Sequence, residues 1–383
     1  MEKTLIETTE QLTQFCEQIK HSSWLAIDTE FIREKSYYPK LCLLQVANET
    51  HSACIDPLVL DDTKPIMDLL FRQDIIKVFH ACQQDLEIFV HLYHDVPRPI
   101  FDTQIAGALV GMGNQEGYAS AVKKLTGIQL DKSQTRTNWA QRPLDEKQVT
   151  YAHGDVIHLG EIYKILLGKL NDLNRTEWLT EDFQQLETAE HYINRPEQMW
   201  VKVKGNQHLK GVQLAVLQAL ASWRETRAQH KDIPRKWVIS DDVLLDLARQ
   251  MPSAHKNLSK IRGINPKTLE KDASTILSLI NQAQESPREN WPQHKQRSKK
   301  LTIQQEAFID ILMALVRLKA EEHNISAASL ARRRDLERLV SGEKPDDIFT
   351  GWKKSLIGQD LINLVNGDSI IRIQNGQVKI DTQ

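Results

Sequence analysis

The chain has 383 residues with 40% hydrophobic and 26% charged side chains, the composition of a globular protein too long for one ordinary core. No apolar run approaches the ~18–20 residues that span a bilayer. The first twenty residues lack a basic segment followed by an apolar core, so neither a membrane anchor nor a secretory signal is expected. The net charge of −2 conceals an asymmetry: residues 1–200 carry −11 and residues 201–383 carry +9. An acidic half suits hard divalent cations and a basic half suits a polyanion. Cys16, Cys42, Cys54 and Cys82 form no C-x-x-C pair, which argues against a zinc site or a disulfide framework and for a cytoplasmic location.

In chain order, Trp24–Phe31, Leu41–Ala47, Ser52–Asp56 and Ile75–His80 have the β-branched, aliphatic character of strands. The short gaps between the first three predict antiparallel pairing. Helical spacing then dominates over about 83–94, 102–111, 117–126, 145–170 and 177–194. The expectation is an α/β domain over 1–195, a mixed sheet flanked by helices. The polar segment 196–210 is expected as a linker. The remainder reads as all-helical: one unit over 211–285, a charged connector over 286–300, and a second unit of similar plan over 301–383.

Alternation in the first strand puts Asp28 and Glu30 on one face, where two carboxylates repel unless a proton or cation lies between them. Asp85 follows a later strand at the start of a helix, at the positive end of its dipole. Tyr151 and Asp155 are spaced i, i+4, so on a helix they reach one point together. Gly154 beside them has no helix-propensity merit, which suggests close approach of another group. His153 is expected to point elsewhere, and His80 to be a core or supporting residue at a strand end.

Alone, each of these features is ordinary. Together the segments AIDTEFIREKSYYPKLCLLQ, FHACQQDLEIF, FDTQIAGAL, LDKSQTRTNWAQRPL and YAHGDVIHL resemble the ribonuclease D branch of the DEDD exonucleases, in the subgroup with a catalytic tyrosine. The resemblance spans essentially the whole chain, and the C-terminal units resemble HRDC modules. The first is the clearer, through SWRETRA, IPRKWVISDDVLLDLARQMP and LSKIRGI, and the second is more divergent.

The resemblance implies a ribonuclease H-like fold and 3′→5′ hydrolysis of RNA to nucleoside 5′-monophosphates. It implies two divalent cations, Mg²⁺ or Mn²⁺, held by Asp28, Glu30, Asp85 and Asp155, with Tyr151 orienting the water. RNA with a free 3′ end, tRNA precursors among them, is the implied partner; no obligate protein partner is evident. A DNA 3′→5′ exonuclease is the alternative with the same carboxylates, and a non-catalytic RNA-binding scaffold is a second. Candidate substrate contacts are Phe31, Arg33, Lys132, Arg136 and Trp139, with Lys35, Tyr37, Tyr38 and Arg142 near them. Basic pairs and triplets at Arg235–Lys236, Lys299–Lys300, Arg332–Arg334 and Lys353–Lys354 suggest an RNA-guiding surface.

Overall fold

A computed structural model describes residues 1–131, 134, 137–294 and 301–382, apart from the side chains of Asp347 and Thr382. The N-terminal domain comprises β1 (Glu2–Ile6), α1 (Thr9–Ile19), β2 (Trp24–Ile32), β3 (Lys40–Ala47), β4 (His51–Ile55), α2 (Lys64–Leu70) and β5 (Ile76–Phe79). It continues through α3 (Gln83–Tyr93), β6 (Ile100–Asp102), α4 (Thr103–Ala108), α5 (Tyr118–Thr126), α6 (Glu146–Asp172) and α7 (Thr180–Leu186). The strands form one mixed sheet in the order β1-β4-β3-β2-β5-β6. As expected, β2, β3 and β4 pair antiparallel, while β1, β5 and β6 add in parallel.

Both faces of the sheet are covered, so its central strands are apolar on both sides. Leu25 and Ile27 of β2, with Leu44 and Val46 of β3, face α1, α2 and α3. Trp24 and Ala26 of β2, with Ala47 of β3, face α5 and α6. The edge strand β1 and the three-residue β6 escaped the sequence reading, since β1 buries one side chain fully and β6 is too short to show a period. The helix expected over 177–194 is broken: α7 stops at Leu186, where Glu187 turns to accept the backbone N–H of Ile100 beside β6 (2.8 Å).

Residues 195–210 form short 3₁₀ helices over Pro196–Lys202 and Asn206–His208. Trp200, Val203 and Leu209 are buried in the core of the following helical unit, so this segment packs as part of it. That unit contains α8 (Val212–Lys231), α9 (Arg235–Val238), α10 (Asp241–Gln250), α11 (His255–Leu258) and α12 (Pro266–Glu285). A second unit follows the same order: α13 (Ile303–Glu322), α14 (Ala327–Leu330), α15 (Arg333–Val340), α16 (Asp346–Phe349) and a bent helix made of α17 (Gly351–Lys353), a π turn and α18 (Gln359–Asn366).

The all-helical expectation fails at the C-terminal end, where β7 (Ser369–Gln374) and β8 (Gln377–Thr382) form a hairpin. Ile371 and Ile380 pack it on the core of the second unit. Among the described residues no helix is long and apolar enough to cross a membrane.

Candidate active site

Asp28 and Glu30 lie on β2, on the face covered by α6. A β-bulge between Glu30 and Phe31 shifts the pairing with β3 at this point. Such irregularities turn a strand's side chains and are frequent beside active sites. Helix α6 brings the next pair. Asp145 caps it in reciprocal bonds with Gln148 (2.8 and 3.0 Å), which sets where its first turns begin. Tyr151 and Asp155 then fall one turn apart, and Tyr151 hydrogen-bonds the Asp155 carboxylate.

One carboxylate oxygen from each of Asp28, Glu30 and Asp155 lies within 4.8 Å of the others. Asp85 arrives from the opposite layer, on the first turn of α3. It is buried and accepts a hydrogen bond from the Thr29 hydroxyl, so it stands beside the trio rather than within it. Burial, then mutual repulsion, raises these acids. Glu30 is pushed up to about 10, first by desolvation and then by Asp28, Asp155 and Asp85. Asp155 rises to about 7 through burial, opposed by the Tyr151 bond. Asp28 and Asp85 are also held well above the usual carboxylate range, chiefly by desolvation.

The trio opens into a cleft of about 230 Å³ lined by Asp28, Thr29, Glu30, His80, Tyr118, Tyr151, Asp155 and Leu159. No lysine or arginine lines it, among the described residues. A crowded carboxylate set with hard oxygen donors and no internal counter-charge fits divalent cations of the Mg²⁺ or Mn²⁺ kind. A second groove, of about 420 Å³, meets the cleft at Tyr151 and Asp155 and runs past Lys147 and His158.

Sequence reasoning missed Tyr118. Its hydroxyl donates to the carbonyls of Gly154 (3.1 Å) and Asp155, pinning the backbone of the Tyr151–Asp155 turn. His80 also lines the cleft, tethered by the Thr103 hydroxyl (2.9 Å) and the Glu116 carbonyl (3.0 Å). His80 is thus the supporting residue expected at its strand end, whereas Tyr118 uses partners distant in sequence that no local pattern announces. His153 points away, as expected, and bonds the Ser52 hydroxyl (2.7 Å).

Several expected substrate contacts have other partners. Trp139 is only 3% exposed and packs with Cys42, Leu43, Cys54 and Ala152, its ring 6.1 Å from Tyr151. It supports Tyr151 and offers no open face to a base. Arg142 clamps the fully buried Asp56 and donates to the carbonyls of Trp139 (2.7 Å) and Cys42 (2.6 Å). Arg33 is held in a bidentate pair with Glu87 (2.7 and 2.8 Å). Phe31 sits half-buried at the bulge. Lys132 and Arg136 lie outside the described residues, as do Lys299 and Lys300. Gly154 also corrects the sequence reading: a Cβ there would meet nothing within 4 Å. The close approach occurs at Gly160, where a Cβ would lie 2.4 Å from the Trp24 ring.

Tyr37 is buried at the junction with the first helical unit. Its hydroxyl donates to the fully buried Glu225, which also pairs with Arg235. The backbone N–H groups of Tyr37 and Tyr38 donate to Asp232 (2.9 and 3.0 Å). Arg235 is therefore committed to an ion pair. Of the other basic clusters, Arg333 pairs with Asp310 (2.5 Å) and Lys353 lies over Trp352.

Residues 4–171 match the sequence profile of a 3′-5′ exonuclease family, and residues 213–280 match that of the HRDC domain. The sheet domain with its acidic cleft is thus of the 3′-5′ exonuclease class. The chain is 38% identical to the ribonuclease D of Sphingobium indicum, over 98% of both chains. It is 37% identical to that of Zymomonas mobilis, over 98% of this chain and 97% of the other. The crystal structure of Escherichia coli RNase D, described as an exoribonuclease involved in structured RNA processing, superposes with a TM-score of 0.84 at 31% identity, covering 96% of this chain and 99% of that one. The chain belongs to the ribonuclease D family.

Proposed function

We propose that this chain is a 3′→5′ exoribonuclease that hydrolyses RNA from its 3′ end, releasing nucleoside 5′-monophosphates. The observation that carries the reading is the convergence of Asp28, Glu30 and Asp155 on one point, with Tyr151 bonded to Asp155 at its rim. Asp28, Glu30 and Asp155 would hold one divalent cation. Asp85, set apart by its Thr29 bond, would serve a second with Asp28. Bound Mg²⁺ or Mn²⁺ supplies Lewis-acid stabilisation of the phosphoryl charge and acidifies the attacking water.

The chain's own groups do the rest. Tyr151 presents its hydroxyl to the attacking water and keeps the Asp155 carboxylate turned inward. Tyr118 fixes the helical turn that carries both. A phenol is a poor general base at neutral pH, so Tyr151 acts by orientation.

The basic helical half, net +9, supports a division of labour in which the helical units grip RNA. The second unit is assigned as a divergent HRDC-type module. Its first four helices have 20, 4, 8 and 4 residues against 20, 4, 10 and 4 in the first unit. The proposed divisions are 1–195, 211–285 and 301–383, with the segment between the first two packed onto the first helical unit through Trp200, Val203 and Leu209. Precursors of tRNA and other small stable RNAs are the proposed substrates, and four free, buried cysteines suit a reducing cytoplasm.

The test is digestion of matched 5′-labelled single-stranded RNA and DNA in Mg²⁺ or Mn²⁺. The expected result is stepwise 3′ trimming of RNA that Asp28→Asn and Asp155→Asn abolish. Preferential DNA trimming would overturn the substrate, and full activity in both variants would overturn the site.

A further inference from the structure

Gln45 is fully buried in the middle of β3, and neither its amide nitrogen nor its amide oxygen has a hydrogen-bond partner. An unpartnered buried amide costs a fold about 1–3 kcal/mol, and leucine or methionine would fill the same space without that cost. Its place in the sheet explains its retention. In the antiparallel register Gln45 stands directly opposite Asp28, and on its other side opposite Cys54 of β4. Residues opposite one another project to the same face, with Cβ atoms roughly 4.5–5.5 Å apart. That face is the one covered by α6.

The polar choices open to the amide are few. The Cys54 thiol is engaged with the Val149 carbonyl (3.9 Å), and Leu43, Ala47 and Ala152 around the row are apolar. Asp28 is the charged neighbour on the row. It is also the acid shared by both cation positions in the reading above, on which this inference rests.

We propose that Gln45 is a positioning residue: its amide N–H donates to the Asp28 carboxylate and fixes the orientation from which Asp28 holds a cation. Ligands to metals are ordinarily oriented by such bonds, whose loss weakens binding even though the partner never touches the metal. The bond forms as the carboxylate settles into its coordinating orientation, so the amide is reserved for the loaded site and contributes nothing to the metal-free fold.

The test uses Gln45→Met in the full chain, which keeps length and volume and removes the polar group. Mn²⁺ binding to the RNA-free protein is measured by calorimetry and by electron paramagnetic resonance, with thermal unfolding in chelator and steady-state kinetics alongside. The expected result is Mn²⁺ affinity weakened roughly 10-fold. The metal-free Tm should be unchanged or raised, and kcat lowered at constant KM for RNA. Wild-type Mn²⁺ affinity in Gln45→Met, measured well below its Tm, would overturn the proposal, because the amide would then serve the fold alone. Asp28→Asn is the reference: if it still binds Mn²⁺ normally, the metal-site reading fails independently of Gln45.

Discussion

At the scale of single residues the site is a set of acids held closer together than they tolerate without help. Asp155 and Glu30 are pushed up to about 7 and about 10, so the metal-free protein keeps protons that the unfolded chain releases near pH 4. A raised acid favours the fold while protonated, and that advantage is lost as pH climbs through the raised value. Near pH 8 the chelated protein is therefore destabilised by its own active site. Asp155→Asn should raise the metal-free Tm there by roughly 2–4 °C, equivalent to about 1 kcal/mol, while abolishing RNA hydrolysis. Differential scanning calorimetry with chelator checks this, and a lower Tm would show that the carboxylate is structural.

His153 behaves oppositely. Burial holds it down to about 4, below the usual 6.5, so its contribution is complete above pH 6.5 and is lost as pH falls toward 4. His153→Gln should flatten the fall in Tm across that interval, about 2–3 kcal/mol in wild type. Tyr151→Phe should keep Mn²⁺ binding, seen by calorimetry, and lower kcat by about 10² or more. The strand pair and the i, i+4 pair were legible from periodicity alone. Asp85 was legible from its place at a helix start after a strand, but its bond from Thr29, 56 residues away, was not. Arg142 and Trp139 were misread as available for RNA, because Asp56 and Cys42 are equally remote in sequence.

Among the elements, α6 carries the most function. Its 27 residues span about 40 Å, with the chemistry confined to the first third. The remainder lies on the sheet through Gly160, where the indole of Trp24 occupies the space a side chain would need. Gly160→Ala should destabilise the domain by about 1–3 kcal/mol through overpacking, and chemical denaturation measures it. Gly154→Ala, with open space around it, should be tolerated by the fold and gain helix propensity. Two glycines in one helix thus carry opposite predictions that sequence spacing cannot separate.

The C-terminal hairpin was missed although its signal is present. Asn375–Gly376, both at positive φ, joins two alternating segments, which is the type I′ turn signature. The helical pattern of the preceding residues overrode it. Helices α3, α5 and α6 were read to within two residues, whereas α1 was not read, and β1 and β6 are fixed by neighbours that only the folded sheet supplies.

For the molecule as a whole, both helical units dock on the exonuclease domain, and they use matching corners. In the first, Asp232 just after α8 receives the N–H groups of Tyr37 and Tyr38. In the second, the His323 carbonyl just after α13 receives Arg175 (2.6 Å), and the Asn324 side chain closes on Gly111. Asp232 and Asn324 both hold left-handed backbone. The charge asymmetry visible in the sequence is what supports the proposed division into a chemical half and a gripping half. It did not show that Arg235 is consumed by Glu225 or Arg333 by Asp310. RNA affinity should still fall steeply between 50 and 200 mM salt, in proportion to the phosphates contacted. A salt-independent Kd in filter binding would remove the basic half from RNA recognition.

Where the second unit meets the exonuclease domain, the indoles of Trp178 and Trp352 are stacked, their ring centroids 4.5 Å apart and their planes 3° from parallel. Two chromophores so placed share their electronic excitation, and the coupling falls steeply, as the inverse cube of their separation, when they part. The junction therefore carries its own optical label. Detachment of the second unit would erase a near-ultraviolet circular dichroism couplet while the far-ultraviolet helical signal persisted, so the opening of the molecule can be watched without attaching a dye.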